Sequence, residues 1–141
     1  MTNINSTVNF FLEMTKFQTK LSRRLDSNLN GISLNEFIIM YHLSQNPDNK
    51  MRRTDLADKL GFTASGITRL LIPMEKIGLI SRESDDSDAR VSYVVLARGG
   101  NTKLTEGIDR IELFGEDLVP TSKIKKLEET TKLINELSKN I

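Results

Sequence analysis

The segment Thr63-Ala64-Ser65-Gly66-Ile67-Thr68-Arg69 places small side chains, three hydroxyls and one guanidinium within two helical turns. A helix with such a face is slim enough for the major groove of B-DNA, about 12 Å wide, where hydroxyl side chains and a bidentate arginine meet base edges. Arg69 can take a guanine edge or a phosphate, and Ser65 and Thr68 can reach bases or backbone. The same residues also suit a surface helix with ordinary polar cover. A second candidate is Arg90, beside the polar stretch Ser84-Asp85-Asp86-Ser87-Asp88-Ala89, because a narrow minor groove attracts an inserted guanidinium. Asp88 is unfavourable next to a polyanion unless it pairs with a cation, so it is expected to orient Arg90 or the neighbouring Arg82. A solvated charged turn accounts for the same tip. Lys50, Arg52 and Arg53 form a third cluster, where a helix start and its dipole disfavour cations. Phosphate contact gives that placement a reason, and a solvated basic turn is the plainer alternative.

Other chemistries find little support. The chain has no cysteine, which removes disulfides, thiol redox sensing and thiolate metal sites, and its one histidine leaves little for zinc beyond carboxylates. His42 stands beside Tyr41 and Leu43, where packing is the expected role and sensing of pH or a ligand the alternative. The run Asp85-Asp86-Ser87-Asp88 lacks the glycine and glutamate of a calcium-binding EF-hand loop. No nucleophile elbow, phosphate loop or metalloprotease motif occurs, so neither an enzyme nor a cofactor is expected. A net charge of +1 neither supports nor excludes a nucleic-acid partner, so any DNA surface must come from local clustering. The first residues lack a basic region followed by an apolar run, and no stretch approaches the roughly 18 apolar residues of a membrane span, so a cytoplasmic protein is expected.

The elements that must position these residues follow from periodicity. From Val8, the residues Phe10, Phe11, Met14, Phe17, Leu21 and Leu25 recur at three- and four-residue steps, predicting a long first helix with Gly31 as its stop. Ser33 and Glu36 read as a capping box for a second helix running to about Gln45, and Asn46-Pro47-Asp48-Asn49 is turn chemistry. Leu56, Ala57 and Leu60 mark a short third helix from Arg53, stopped by Gly61. Thr63 then caps a fourth helix, and two short helices joined through a glycine turn make a helix-turn-helix. Leu79–Arg82 and the β-branched Val91–Leu96 read as a hairpin around the polar tip, a wing. Gly99-Gly100-Asn101 is expected to break the chain. Fifth and sixth helices follow, with Leu104, Ile108, Ile111, Phe114 and Leu118 in one and Ile124, Leu127, Thr131, Ile134, Leu137 and Ile141 in the other, after Pro120.

Leu56-Ala57-Asp58-Lys59-Leu60-Gly61-Phe62-Thr63, Ile67-Thr68-Arg69-Leu70-Leu71, Glu75-Lys76-Ile77-Gly78-Leu79-Ile80, and then Asp85, Asp88 and Arg90 before Val94-Val95-Leu96 resemble the MarR family of transcriptional regulators. The resemblance implies a mainly α fold with a small β-hairpin wing, a single 1–141 domain in which a winged helix-turn-helix lobe (33–100) is flanked by dimerisation helices (1–31 and 102–141). It matches Asp88 and Arg90 to the family's wing pair and Arg69 to its recognition-helix arginine. Three departures stand out. Pro73 falls inside the fourth helix, where a kink or break is expected. Ala97-Arg98-Gly99-Gly100 replaces the family's usual Leu-Thr start of the fifth helix. Gly107 and Gly115 interrupt that helix, predicting close approach or bending.

The expectation is therefore a homodimeric repressor whose recognition helices enter successive major grooves about 34 Å apart on double-stranded DNA, with wings at the minor grooves. The DNA-facing set comprises Arg52, Arg53, Thr63, Ala64, Ser65, Gly66, Thr68, Arg69, Arg82, Asp88 and Arg90. A winged-helix protein-interaction module without DNA affinity is the alternative. A further reading, from the family, adds a small aromatic or phenolic effector. Phe10, Phe11, Met14, Phe17 and Met40 are its candidate lining, although their helical spacing suits core or interface first.

Overall fold

Asn5 opens the first helix by accepting a hydrogen bond from the Val8 backbone N–H at 2.9 Å, the bond expected of an N-cap. The computed structural model describes residues 4–141, which divide into two units between Ile108 and Asp109; Met1–Asn3 of the expected 1–31 segment lie outside the described residues. Helix α1 (Ser6–Asp26) ends five residues before Gly31. The expected glycine stop is thus corrected: Ser27 closes the helix, and Gly31 occupies a later turn. Helix α2 (Leu34–Ser44) begins with the full capping box, Glu36 N–H to Ser33 Oγ at 3.1 Å and Ser33 N–H to Glu36 Oε1 at 2.8 Å.

After a 3₁₀ turn (Pro47–Asn49) comes a strand that the periodicity does not predict, β1 (Lys50–Arg52). It pairs antiparallel with β3 (Ser92–Leu96), which also pairs with β2 (Ile80–Ser84), so the wing is a three-stranded sheet in the order β1-β3-β2 rather than a lone hairpin. Met51 is buried opposite Val94, and the basic residues either side of it stay outside. Between β1 and β2 lie α3 (Arg53–Leu60) and α4 (Ala64–Lys76). Gly61 takes φ +74 at the end of α3, a left-handed cap that suits glycine, and Thr63 Oγ1 then accepts from the Gly66 N–H at 3.0 Å to start α4.

Leu29, Ile39, Met40, Leu43, Leu56, Ile67, Leu71, Met74, Ile80 and Val94 are fully buried in this unit. At about 1.5–3 kcal/mol for each buried aliphatic side chain, this cluster holds the two short helices and the sheet together. Of the expected kink or break at Pro73, the break does not occur: helix α4 runs on through it. Pro73 is exposed, so the Arg69 carbonyl deprived of its N–H partner can turn to water, while Leu71 and Met74 anchor the helix on its buried face.

Helix α5 (Arg98–Leu118) also starts earlier than expected, taking Gly99 and Gly100 into its first turn and beginning four residues before 102. A Cβ at Gly100 would run into the Leu79 carbonyl oxygen and lie 2.8 Å from Leu96 Cδ1. The glycines admit backbone rather than break the helix. Gly107 likewise admits the Phe37 ring, whose Cδ2 would stand 2.7 Å from an added Cβ. In the second unit, α5 ends at Leu118, a 3₁₀ turn (Thr121–Lys123) follows, and α6 (Ile124–Ser138) stops short of Ile141.

Candidate nucleic-acid interface

Helix α4 displays its leading turn: Thr63, Ala64, Ser65 and Arg69 are exposed, Gly66 and Thr68 half-buried, and Ile67 fully buried beneath them. Small residues dominate this end, so its backbone can approach a partner closely. The Arg69 side chain has no hydrogen-bond or ion-pair partner among the described residues, leaving all its guanidinium donors available. Thr68 is different. Its hydroxyl donates to the Ala64 carbonyl at 2.9 Å and accepts from Arg53 Nη1, a contact between the first residue of α3 and the middle of α4.

Arg52, Arg53, Arg82 and Arg90 converge on one concavity of about 340 Å³, completed by Thr54, Val91, Ser92 and Val94. The unexpected β1 is what brings Arg52 here, by aligning it with Tyr93 across the sheet. Lys50, two residues earlier, is engaged away from this concavity, where its ammonium pairs with Glu83 at 3.0 Å and stands 4.8 Å above the Tyr93 ring. The Glu83 hydrogen bond raises the Lys50 pKa. Glu83 and the cation–π contact therefore tie β1 to both other strands.

The wing tip is organised by two carboxylates. Asp85 accepts from Ser87 Oγ at 2.7 Å, Ser87 N–H at 2.8 Å and Tyr93 Oη at 3.1 Å, and these donors hold its pKa down to about 2. Asp88 accepts from Arg90 through Nε, Nη2 and the backbone N–H, and these hydrogen bonds, with a smaller contribution from the Arg52 charge, lower its pKa. Arg90 nevertheless keeps 91% of its side chain exposed. Arg82 does not join Asp88, as one expectation had it; its Nε donates to Glu75 of α4 at 2.9 Å, because β2 leaves the end of α4 with Arg82 only seven residues away. Among the described residues, no group of three or more His, Cys, Asp or Glu side chains is placed to hold a metal ion.

The remaining candidates separate. His42 is half-buried, edge-on to Tyr41 with ring centroids 5.4 Å apart, and burial followed by the charge of Lys59 lowers its pKa. Met40 lies wholly in the core, whereas Phe11 and Phe17 are 57% and 53% exposed, so the five side chains considered for an effector pocket are divided between core and surface. No helix among the described residues is long and apolar enough to cross a membrane.

Sequence periodicity alone passes over Glu75, Tyr93 and the Arg53–Thr68 contact. The hairpin register, which sets Ser84 opposite Ser92, is the signal that places Tyr93 beside Asp85.

A helix-turn-helix followed by a small antiparallel wing defines the class: a winged-helix protein. Residues 32–92 match the model of the MarR family. No curated protein sequence matches the chain. Among solved structures, the transcriptional regulator BldR from Sulfolobus solfataricus is similar at a TM-score of 0.84 and 23% identity, with 100% of each chain covered. Sco3205 from Streptomyces coelicolor, solved in complex with DNA, aligns at 0.75 and 21% identity over 96% of this chain and 91% of its own. A mutant MarR from E. coli complexed with operator DNA aligns at 0.78 and 18% identity over 95% and 99%. The six helices and three-stranded sheet are the MarR winged-helix fold.

Proposed function

We propose that this chain is a homodimeric transcriptional regulator of the MarR family that binds double-stranded DNA sequence-specifically and represses by occupying promoter sites. The observation that carries the reading is the gathering of Arg52, Arg53, Arg82 and Arg90 in one concavity of a chain whose net charge is only +1. Concentrating cations in one place creates a phosphate-binding field without a basic protein overall. Beside it, α4 offers an unpartnered Arg69 and the small residues Ala64, Ser65 and Gly66 for the major groove, and the Arg90 wing suits the adjoining minor groove. The DNA held by the Streptomyces and E. coli relatives supports the same partner here.

The terminal helices support the pairing of two copies. Phe11, Leu12 and Phe17 of α1 are each more than half exposed, and α6 buries none of its residues although Ile124, Leu127, Leu133 and Leu137 project from it. Full burial of a fully exposed side chain of this kind is worth about 1.5–3 kcal/mol, so each of these, about half exposed, would gain roughly half of that against a second copy. In this reading 33–100 is the DNA-binding lobe and the helices of 1–31 and 102–141 join the protomers. A small effector acting on the dimer would modulate this binding.

The test is fluorescence anisotropy of the full-length protein on the DNA upstream of its own gene and on a scrambled duplex, across a salt series. Tight, sequence-selective binding that weakens linearly with log salt is expected. Salt-indifferent behaviour, or equal weak binding to both duplexes, would move the assignment to a protein-interaction module.

A further inference from the structure

Within the proposed recognition helix, the hydroxyl of Thr68 is already committed. Its one hydrogen goes to the Ala64 carbonyl at 2.9 Å, and the Arg53 guanidinium donates to the same oxygen. A threonine hydroxyl has one donor and two lone pairs, so this pair of bonds removes the donor and one acceptor. What Thr68 has left, on a half-buried side chain, is one lone pair and its γ-methyl. Hydroxyl chemistry at this end of α4 passes instead to Ser65, whose side-chain hydrogen bond is a long one, 3.4 Å to Thr63 Oγ1, and guanidinium chemistry to Arg69.

We infer that Thr68 is a specificity-determining residue that reads a thymine through methyl–methyl contact, with Arg53 as the positioning residue that fixes its rotamer. Thymine is the base that carries a methyl group in the major groove, and apolar contact is how a side chain distinguishes it. Arg53 belongs to α3, so the first helix of the motif dictates what the second can read. A thymine preference at this position does not need a hydrogen bond to the base. The inference rests on the DNA-binding reading above.

The experiment starts from duplexes that the wild-type protein enriches from a randomised pool. Each thymine of the enriched half-site is replaced in turn by deoxyuridine, which lacks only the methyl. One position per half-site is expected to lose roughly fourfold in affinity, the equivalent of one buried CH₂-sized group. Thr68→Ser, which keeps the hydroxyl and removes the methyl, should bind the thymine and deoxyuridine duplexes equally at that position. Thr68→Val, which keeps a methyl, should retain the difference. Arg53→Ala should blur the preference at that thymine, a change that general loss of phosphate affinity does not produce. Retention of the preference in Thr68→Ser with its loss in Thr68→Val, or no thymine sensitive to its methyl, would overturn the inference and leave DNA binding intact. Failure of the wild-type protein to enrich any sequence would overturn the DNA-binding reading and this inference together.

Discussion

Asp88 and Arg90 are joined at three points: the Asp88 carboxylate accepts from the Arg90 backbone N–H at 3.0 Å and from its Nε and Nη2 at 3.1 Å each. Arg90 is almost fully exposed, so the ion pair itself adds little to stability. Its effect is geometric, holding a long side chain in one direction before a partner arrives and lowering the ordering cost of binding. Arg90→Ala should weaken binding to the upstream duplex by about tenfold and lower the slope of log affinity against log salt by about 1 for each wing in phosphate contact. Asp88→Asn keeps the positive charge, so its loss should be smaller and its salt slope no lower. Anisotropy titrations of the two variants side by side decide the matter; an unaltered affinity in Arg90→Ala removes the wing from the interface.

The Asp85 carboxyl makes the wing sensitive to acid. Its folded pKa of about 2 lies below the ordinary 3.8, so its contribution to stability is fully present above pH 3.8 and is lost as the pH falls through about 2. Carboxyl NMR titration should find Asp85 ionised at pH 3. Ser87 supplies the two largest influences and Tyr93 the next, so Ser87→Ala should raise the Asp85 pKa more than Tyr93→Phe does. An Asp85 midpoint near 3.8 in the wild-type protein, or the opposite ranking of the variants, would contradict the arrangement.

Two glycines of α5 make a contrast in rigidity. At Gly100 the added methyl meets the Leu79 carbonyl, which accepts from the Ala97 N–H at 3.1 Å and cannot withdraw without breaking the sheet-to-helix corner. At Gly107 it meets the Phe37 ring, a half-buried side chain rather than backbone. Gly100→Ala is therefore expected to cost about 1–3 kcal/mol, the range for overpacking a filled site. Gly107→Ala should cost about 1 kcal/mol or less, because the alanine's helix preference offsets part of the clash. Urea unfolding midpoints compare the two directly, and a costlier Gly107→Ala would contradict this ranking.

The same glycines mark where sequence reading reaches its limit. Local chemistry is legible where one short segment satisfies itself: the Ser33–Glu36 box, the Gly61 stop and the Thr63 cap each rest on bonds spanning three or four residues. Propensity misplaces Gly99-Gly100 as a break, because the reason for glycine there is a backbone some 20 residues away. Strand β1 is invisible for a related cause. Three residues, Lys50-Met51-Arg52, are too few for a periodic signal, and their extended form depends on a partner strand about 40 residues on. At the interface, the residue types and the Asp88–Arg90 pair are readable from spacing. The Arg82–Glu75 pair and the Arg53–Thr68 contact depend on how α3, α4 and β2 cross, which no local pattern encodes.

Pro73 is the position where sequence and fold disagree most plainly, and it can be tested. The helix continues through it although the residue has no N–H to give the Arg69 carbonyl four positions back. Because Pro73 faces solvent, alanine can replace it without touching the core, restoring that hydrogen bond and a residue about 3 kcal/mol more favourable in a helix interior. Pro73→Ala should therefore raise stability by up to about 3 kcal/mol, read as a higher urea midpoint at unchanged m-value. The gain will fall short of that figure to the extent that proline also restricts the unfolded chain. Arg69 lies one turn before the proline and carries the affected carbonyl, so the variant also asks whether binding needs the relaxed turn. Greater stability with unaltered DNA affinity would assign Pro73 no part in recognition, and greater stability with weaker binding would mean that the missing hydrogen bond sets the angle at which Arg69 meets DNA. A lower urea midpoint would mean that Pro73 stabilises α4 rather than costing it a hydrogen bond.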